Sequence, residues 1–330
     1  MELTKKVSVF NGSLAQLCTD FINYKRSIGR KYDSEMLRLK EFDKLTIKMN
    51  HNSNILSGEI VNEFVKFRPM ESQRNNTIRR ILMKQFAKYL IGRGYEAYLL
   101  PDLKVKTQST FTPYIFSDIE ISNFFNTLDN LKPRKISPYM HLVLPVLFRI
   151  LYGCGLRISE ALNLKLSDVD LKQGILTIKN SKNDTDRLIP MSKSLQNICL
   201  DYFNKLHHGK TKNNYFFPSH NNSNIIRQNI IYHFRKLHWK SGIAYGGKGK
   251  GPRLHDFRHT FAVHSLRKNI KESKDIYTTL PILSAYLGHK SIQATQRYLR
   301  LTADVYPDIL ELVEKTSKGI FPEVDKNGTI

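Results

Sequence analysis

A histidine and a tyrosine stand nine residues apart near the end of the chain, in the run Leu287-Gly-His289-Lys-Ser-Ile-Gln-Ala-Thr-Gln-Arg-Tyr298. A phenol with a pKa near 10 does little by itself. Three earlier basic motifs supply groups that would give it something to do. In Gly153-Cys-Gly155-Leu-Arg157-Ile-Ser-Glu160, an arginine is delivered at a glycine-made corner between two apolar segments. Its guanidinium keeps its charge and presents a rigid fork of donors that suits a phosphate. Pairing with Glu160 as a structural arginine is the competing reading. Lys182 sits in a polar turn, with Lys179 as a near neighbour. A lysine there is either a solvated tip or a mobile cation brought to a site. In His255-Asp-Phe-Arg258-His259, His255 and Arg258 share one helix face at a spacing of three. His259, four from His255, raises a zinc site. The carboxylate of H-E-x-x-H is missing and no cysteine is near, so a metal is not expected.

The loop Tyr245-Gly-Gly-Lys248-Gly-Lys250-Gly-Pro-Arg253 combines glycines with three cations. It lacks the G-x-x-x-x-G-K-[ST] order of a nucleotide loop. Contact with a nucleic-acid backbone fits it better. The whole chain agrees: 52 Lys and Arg against 29 Asp and Glu leave a net charge of +23, shared by both halves. Such an excess favours a polyanionic partner. No long apolar run or signal-peptide core is visible, so no membrane partner is expected. Three widely spaced cysteines (Cys18, Cys154, Cys199) indicate neither disulfides nor a thiolate metal site. A cytoplasmic protein is expected.

Helices must position these groups. Apolar residues at helical spacing predict four helices over residues 13–28, 34–49, 57–69 and 72–91, a small bundle. Ser57 reads as an N-cap and Gly92 and Gly94 as terminators. Arg79 and Arg80 fall among cations several of which lie opposite the apolar stripe, where they either meet phosphates or are solvated surface. Residues 1–105 thus form one domain, 106–112 a linker and 113–330 a second domain. In the latter, Ser117 starts a helix, residues 139–152 are apolar almost all round, and 174–178 with 187–190 alternate as a β-hairpin. Helices follow at 194–207 and 225–239, with Trp239 expected in the core.

Taken together, Arg157 in G-x-G-L-R-x-S-E, the hairpin Lys182, His255-x-x-Arg258-His259, Leu287-Gly-His289 and Tyr298 resemble the tyrosine recombinase (phage integrase) family. Their order and spacing match over roughly residues 113–305, and the five together are highly specific. The resemblance implies a mainly α fold, an N-terminal helical core-binding bundle with an α-rich catalytic domain carrying a small antiparallel sheet. It implies cleavage of duplex DNA at specific recombination sites through a 3′-phosphotyrosyl intermediate made by Tyr298, with no cofactor and no metal. Arg157 and Arg258 would clamp the non-bridging oxygens, Lys182 would protonate the leaving 5′-oxygen, and His289 would bond the phosphate. His255, with an imidazole pKa near 6.5, would serve as acid or base beside the nucleophile. Glu160 and His259 would support them, and Lys248, Lys250, Arg253, Arg79 and Arg80 would bind DNA. A homotetramer on two sites, nucleoid association and an accessory DNA-bending or directionality protein belong to the same implication.

Residues 269–280 are longer than in compact members of the family, and the polar run at 271–275 is expected to loop out. The ending Tyr298-Leu-Arg-Leu-Thr302 tilts the reading towards the integrases and transposases of mobile elements. Residues 307–315 predict a short amphipathic helix that packs on its own domain or docks on a neighbouring protomer. Two other functions share much of this residue set, a type IB topoisomerase-like enzyme and a DNA-binding regulator without activity. For all three, phosphate contacts dominate affinity. Duplex binding measured by fluorescence anisotropy should weaken roughly a thousandfold between about 50 and 200 mM salt. An affinity flat with salt would contradict the reading of the charge.

Overall fold

The computed structural model describes residues 10–102, 112–179, 186–244, 246, 251–289 and 291–306. Contacts divide the chain into two compact units, Met1–Thr110 and Phe111–Ile330. Lys182, Lys248, Lys250 and the helix expected at 307–315 lie outside the described residues.

The first unit is built from α1 (Ala15–Ser27), α2 (Asp33–Lys48), α3 (Gly58–Val65) and α4 (Gln73–Ile91). Ser57 and Ser72 cap α3 and α4, each side chain accepting from a backbone N–H three residues on. Phe21, Phe42, Phe64 and Phe86 meet in its core. Some apolar residues of these predicted helices, Phe67 among them, are exposed. Leu37 and Ile81 point outward, while buried Asp43 accepts bonds from the Asn11 and Gly12 N–H groups and ties the segment before α1 to α2.

Arg79 is a correction. It does not lie on the solvent face but is 3 % exposed. Its guanidinium donates to the carbonyls of Phe64 and Lys66, which closing α3 leaves open, and to Glu71. An arginine spent on helix-end carbonyls and a carboxylate holds the bundle together and is not offered to DNA. Arg80 stays half-buried at the surface.

The second unit centres on α6 (Met140–Gly153), buried on nearly every side and contacting α5 (Asp118–Asp129), α7 (Ile158–Leu162), α8 (Lys193–Leu206) and α10 (Asp256–Lys271). Pro145 sits inside α6. Ser117 and Glu120 form a capping box on α5. Phe116, Phe124, Phe148 and Phe257 stack into one aromatic cluster with Phe234 of α9 (Arg227–Lys240). The sheet has three antiparallel strands, β1 (Val169–Asp170), β2 (Ile175–Ile178) and β3 (Arg187–Pro190), in that order. The hairpin register pairs Ile178 with Arg187 and Ile175 with Pro190. Strand β1 was not anticipated, since two residues are too short to show alternation.

Trp239 is another correction: it is 72 % exposed on α9, because Phe234, Leu237 and His238 occupy that helix's buried face. The polar run at 271–275 supplies the exposed turn between two helices, while the rest of 269–280 is helical. After α10 a short turn leads to Asp275, which caps α11 (Ile276–Leu287). After Gly288 the chain reaches α12 (Gln293–Val305), so α10, α11 and α12 share a second apolar cluster. Among the described residues no helix is long and apolar enough to cross a membrane.

Gly155, at the corner before Arg157, has φ +58, and a Cβ there would stand 2.4 Å from Cδ1 of Phe261. Steric overlap adds to the left-handed strain. Gly155→Ala should therefore cost about 2 kcal/mol or more in urea unfolding. A change below about 0.5 kcal/mol would show that this corner is not tightly packed.

Candidate active site

The site is assembled from four segments that meet at the end of α11. Gly155, ahead of α7, gives its carbonyl to Arg258 Nη1 at 2.8 Å, and Arg258 Nη2 donates to the Leu287 carbonyl. Arg258 is thereby locked between the first motif and the last at 2 % exposure. Gly288 takes φ +64, which turns the chain sharply out of α11 and presents His289. His289 Nδ1 pairs with the Thr295 hydroxyl at 2.7 Å, and its ring lies 14° from parallel to the Tyr298 ring.

Arg157 is the more open of the two arginines, its side chain 20 % exposed. Glu160 receives its backbone N–H at 2.9 Å and its Nη1 at 2.7 Å, so the structural pairing weighed from the sequence is present. One carboxylate leaves most of a guanidinium's five donors unspent, so pairing and phosphate binding are compatible. Glu160 also takes two bonds from Arg187, a residue the sequence reading passed over. Burial works to raise the Glu160 carboxyl, but Arg187 and Arg157 together hold it below the usual carboxylate range. Burial lowers Arg258 to about 10, with Arg157 adding to the effect.

Tyr298 is fully buried, a member of the α10–α11–α12 cluster. Its hydroxyl sits 2.9 Å from His259 Nδ1, and Arg297, also not anticipated, approaches the same oxygen at 3.4 Å. The histidine on the phenol is thus His259, not His255, which meets the His259 ring edge-on at 4.7 Å between centroids. His255 does not keep a pKa near 6.5. The protein mass around it, then Arg258, Arg157, Arg297 and Arg253, push it to about 4, although its outer edge is open to solvent. Burial and His255 take His259 to about 3, and burial with Arg258 takes His289 to about 4. All three imidazoles are neutral at physiological pH, able to accept or pass a proton without adding charge.

Lys179 is engaged elsewhere, on Asp168 at 2.6 Å. Arg253, still on the surface, bonds Asp256 at the start of α10. Tyr306 lies against His264 at 3.0 Å with Arg267 over its ring, away from the Arg157–Arg258–His289 group. Thus Arg157, Glu160, His255, Arg258, His259, His289 and Tyr298 are brought together. Arg187 carried no signal beyond its place after the hairpin turn, and Arg297 none beyond adjacency to Tyr298.

What this arrangement can do is bind a phosphate anion at Arg157 and His289 and hold a phenol on a neutral imidazole a short distance behind. The phage integrase family pattern matches residues 119–304. A Sinorhizobium fredii protein named as an integrase/recombinase, y4rB, is 28% identical over 309 residues, covering 91% of this chain and 96% of its own. The tyrosine recombinase XerA of Pyrococcus furiosus is 26% identical over 288 residues, covering 78% of this chain and 94% of its own. Among solved structures, the XerH site-specific recombinase bound to its palindromic difH substrate superposes with a TM-score of 0.61 at 19% identity, over 87% of this chain and 79% of that one.

The neutral histidines have a thermodynamic consequence. Unfolded imidazoles titrate near 6.5 and the folded ones between about 3 and 4, so the unfolded chain binds more protons in that window. Stability fully present above pH 6.5 is lost as pH falls towards 4. The melting temperature should drop across that range, and His259→Asn should flatten the drop. A melting temperature constant from pH 7 to 4.5 would contradict the buried neutral imidazoles.

Proposed function

The chain belongs to the phage integrase family and is a tyrosine-type site-specific DNA recombinase; on that premise we propose that Tyr298 is its nucleophile. The observation that carries the assignment is the Tyr298 hydroxyl held on His259 within the group formed by Arg157, Arg258 and His289. Tyr298 Oη attacks the scissile phosphorus, forming a 3′-phosphotyrosyl bond and breaking the bond to the 5′-oxygen. His259 takes the phenol proton, and Lys182 supplies a proton to the departing 5′-oxygen. Arg157, and Arg258 through the N–H groups that Gly155 and Leu287 leave unspent once α12 has moved, neutralise the non-bridging oxygens as negative charge builds, each contributing on the order of 10²–10³ in rate. His289 donates to the same oxygens through the ring nitrogen not held by Thr295. The covalent bond stores the phosphodiester, so rejoining by the 5′-hydroxyl of another strand reverses the step without ATP.

The buried phenol adds a condition. With Tyr298 at 0 % exposure, its oxygen reaches a duplex only if α12 shifts from α10 and α11. Thr302, one turn further along α12, bonds the Tyr298 carbonyl, so the tyrosine moves with its helix. DNA binding therefore has to supply the energy of exposing that face.

The biological role is proposed more coarsely. The Tyr298-Leu-Arg-Leu-Thr302 ending supports movement or resolution of a mobile element. A homotetramer on two recombination sites, with an accessory DNA-bending or directionality protein, would give two strand exchanges in order. Lys248, Lys250 and Arg253 would track the backbone beside the site, on nucleoid DNA in the cytoplasm.

Incubating the full chain with a sequence-randomised pool of nicked duplexes should yield a covalent protein–DNA band in denaturing gels. Tyr298→Phe should abolish that band and keep duplex affinity within about twofold, while Tyr306→Phe leaves the band. Adducts surviving Tyr298→Phe would sink the assignment.

A further inference from the structure

Arg187 is the first residue of β3, and its side chain is 9 % exposed. Its guanidinium reaches two segments. Nη2 and Nη1 donate to Glu160 at 2.8 and 3.2 Å, while Nε donates to the Tyr286 carbonyl at 3.0 Å. Gly288 packs against the same group: a Cβ there would stand 3.1 Å from Nη1 and 3.2 Å from Cζ. Arg187 thus spans the carboxylate that holds Arg157 and the helix end that presents His289.

The geometry explains why a second cation is needed. Glu160 is buried, and without Arg187 its carboxylate would be held only by the Arg157 N–H on Oε2 and, on Oε1, by a guanidinium that is itself partly exposed. The two-pronged bond from Arg187 fixes that plane, as planar pairing does. A fixed plane holds Arg157 Nη1 and leaves its other N–H groups unspent on Glu160. We propose that Arg187 is a positioning residue for strand cleavage, setting Arg157 through Glu160 and setting His289 through the end of α11. The proposal rests on the recombinase reading above.

The test uses the full chain on a nicked duplex that the wild type captures from the randomised pool. That duplex is made with an ordinary phosphodiester and with a 5′-bridging sulfur. A sulfur leaving group needs no proton, so it compensates for a lost Lys182 and not for a misplaced Arg157. Arg187→Gln should keep affinity within about twofold and slow covalent adduct formation by about a hundredfold on both substrates. Lys182→Ala should be slow on the phosphodiester and restored on the sulfur. The double variant Glu160→Gln with Arg187→Gln should be no slower than the slower single variant, since both break one link. Where the Gln variant melts early, Arg187→Lys carries the comparison, because it keeps the charge but cannot fork over both oxygens.

Wild-type cleavage by Arg187→Gln, rescue of its defect by sulfur, or additive losses in the double variant would each overturn the proposal. Adducts formed by Tyr298→Phe would instead mark failure of the nucleophile assignment.

Discussion

The carbonyls of Tyr286 and Leu287, left open where α11 ends, each accept a bond from an arginine of a distant segment, Arg187 and Arg258. A helix C-terminus carries partial negative charge, so two buried guanidiniums find there both acceptors and a favourable field. Gly288 makes the meeting close, since a side chain at its φ of +64 would press on Arg187. The same turn sends His289 towards Tyr298. Remove this helix end and Arg187 and Arg258 lose their common anchor.

Around that anchor, charge is arranged asymmetrically. Cations gather where an anion would sit, with Arg157 more open than Arg258, and the imidazoles near them are forced neutral. A neutral His259 beside the Tyr298 hydroxyl can take a proton that a charged imidazole would refuse. In the proposed mechanism, phosphate arriving among these arginines would relieve their mutual repulsion and link substrate binding to completion of the site. Tyr298 is part of an apolar cluster, so on the same proposal the packing of α12 would serve both stability and control.

Much of this was legible because the chemistry-bearing residues sit beside glycines and in helical spacing. Gly155 and Gly288 marked the two corners, and His255, Arg258 and His259 declared one helix. Ser57, Ser72 and Ser117 each stand at a helix start, where a side-chain oxygen meets open N–H groups. What escaped depends on tertiary placement. Arg79 looks like any surface arginine until α3 ends beside it and offers carbonyls. Trp239 has the character of a core residue, but Phe234 and Leu237 already fill the buried face of α9. The roles of Arg187 and of His259 over His255 follow from contacts 27 and 39 residues away in sequence, which no local pattern reports.

The central claim is that Tyr298 carries the DNA strand. It is tested most directly by trimming the covalent adduct with nuclease and protease and locating the remaining nucleotide by mass spectrometry. A 3′-nucleotide phosphate is expected on the peptide containing Tyr298. A nucleotide on Tyr306, on any other residue, or linked through a 5′-phosphate would contradict it.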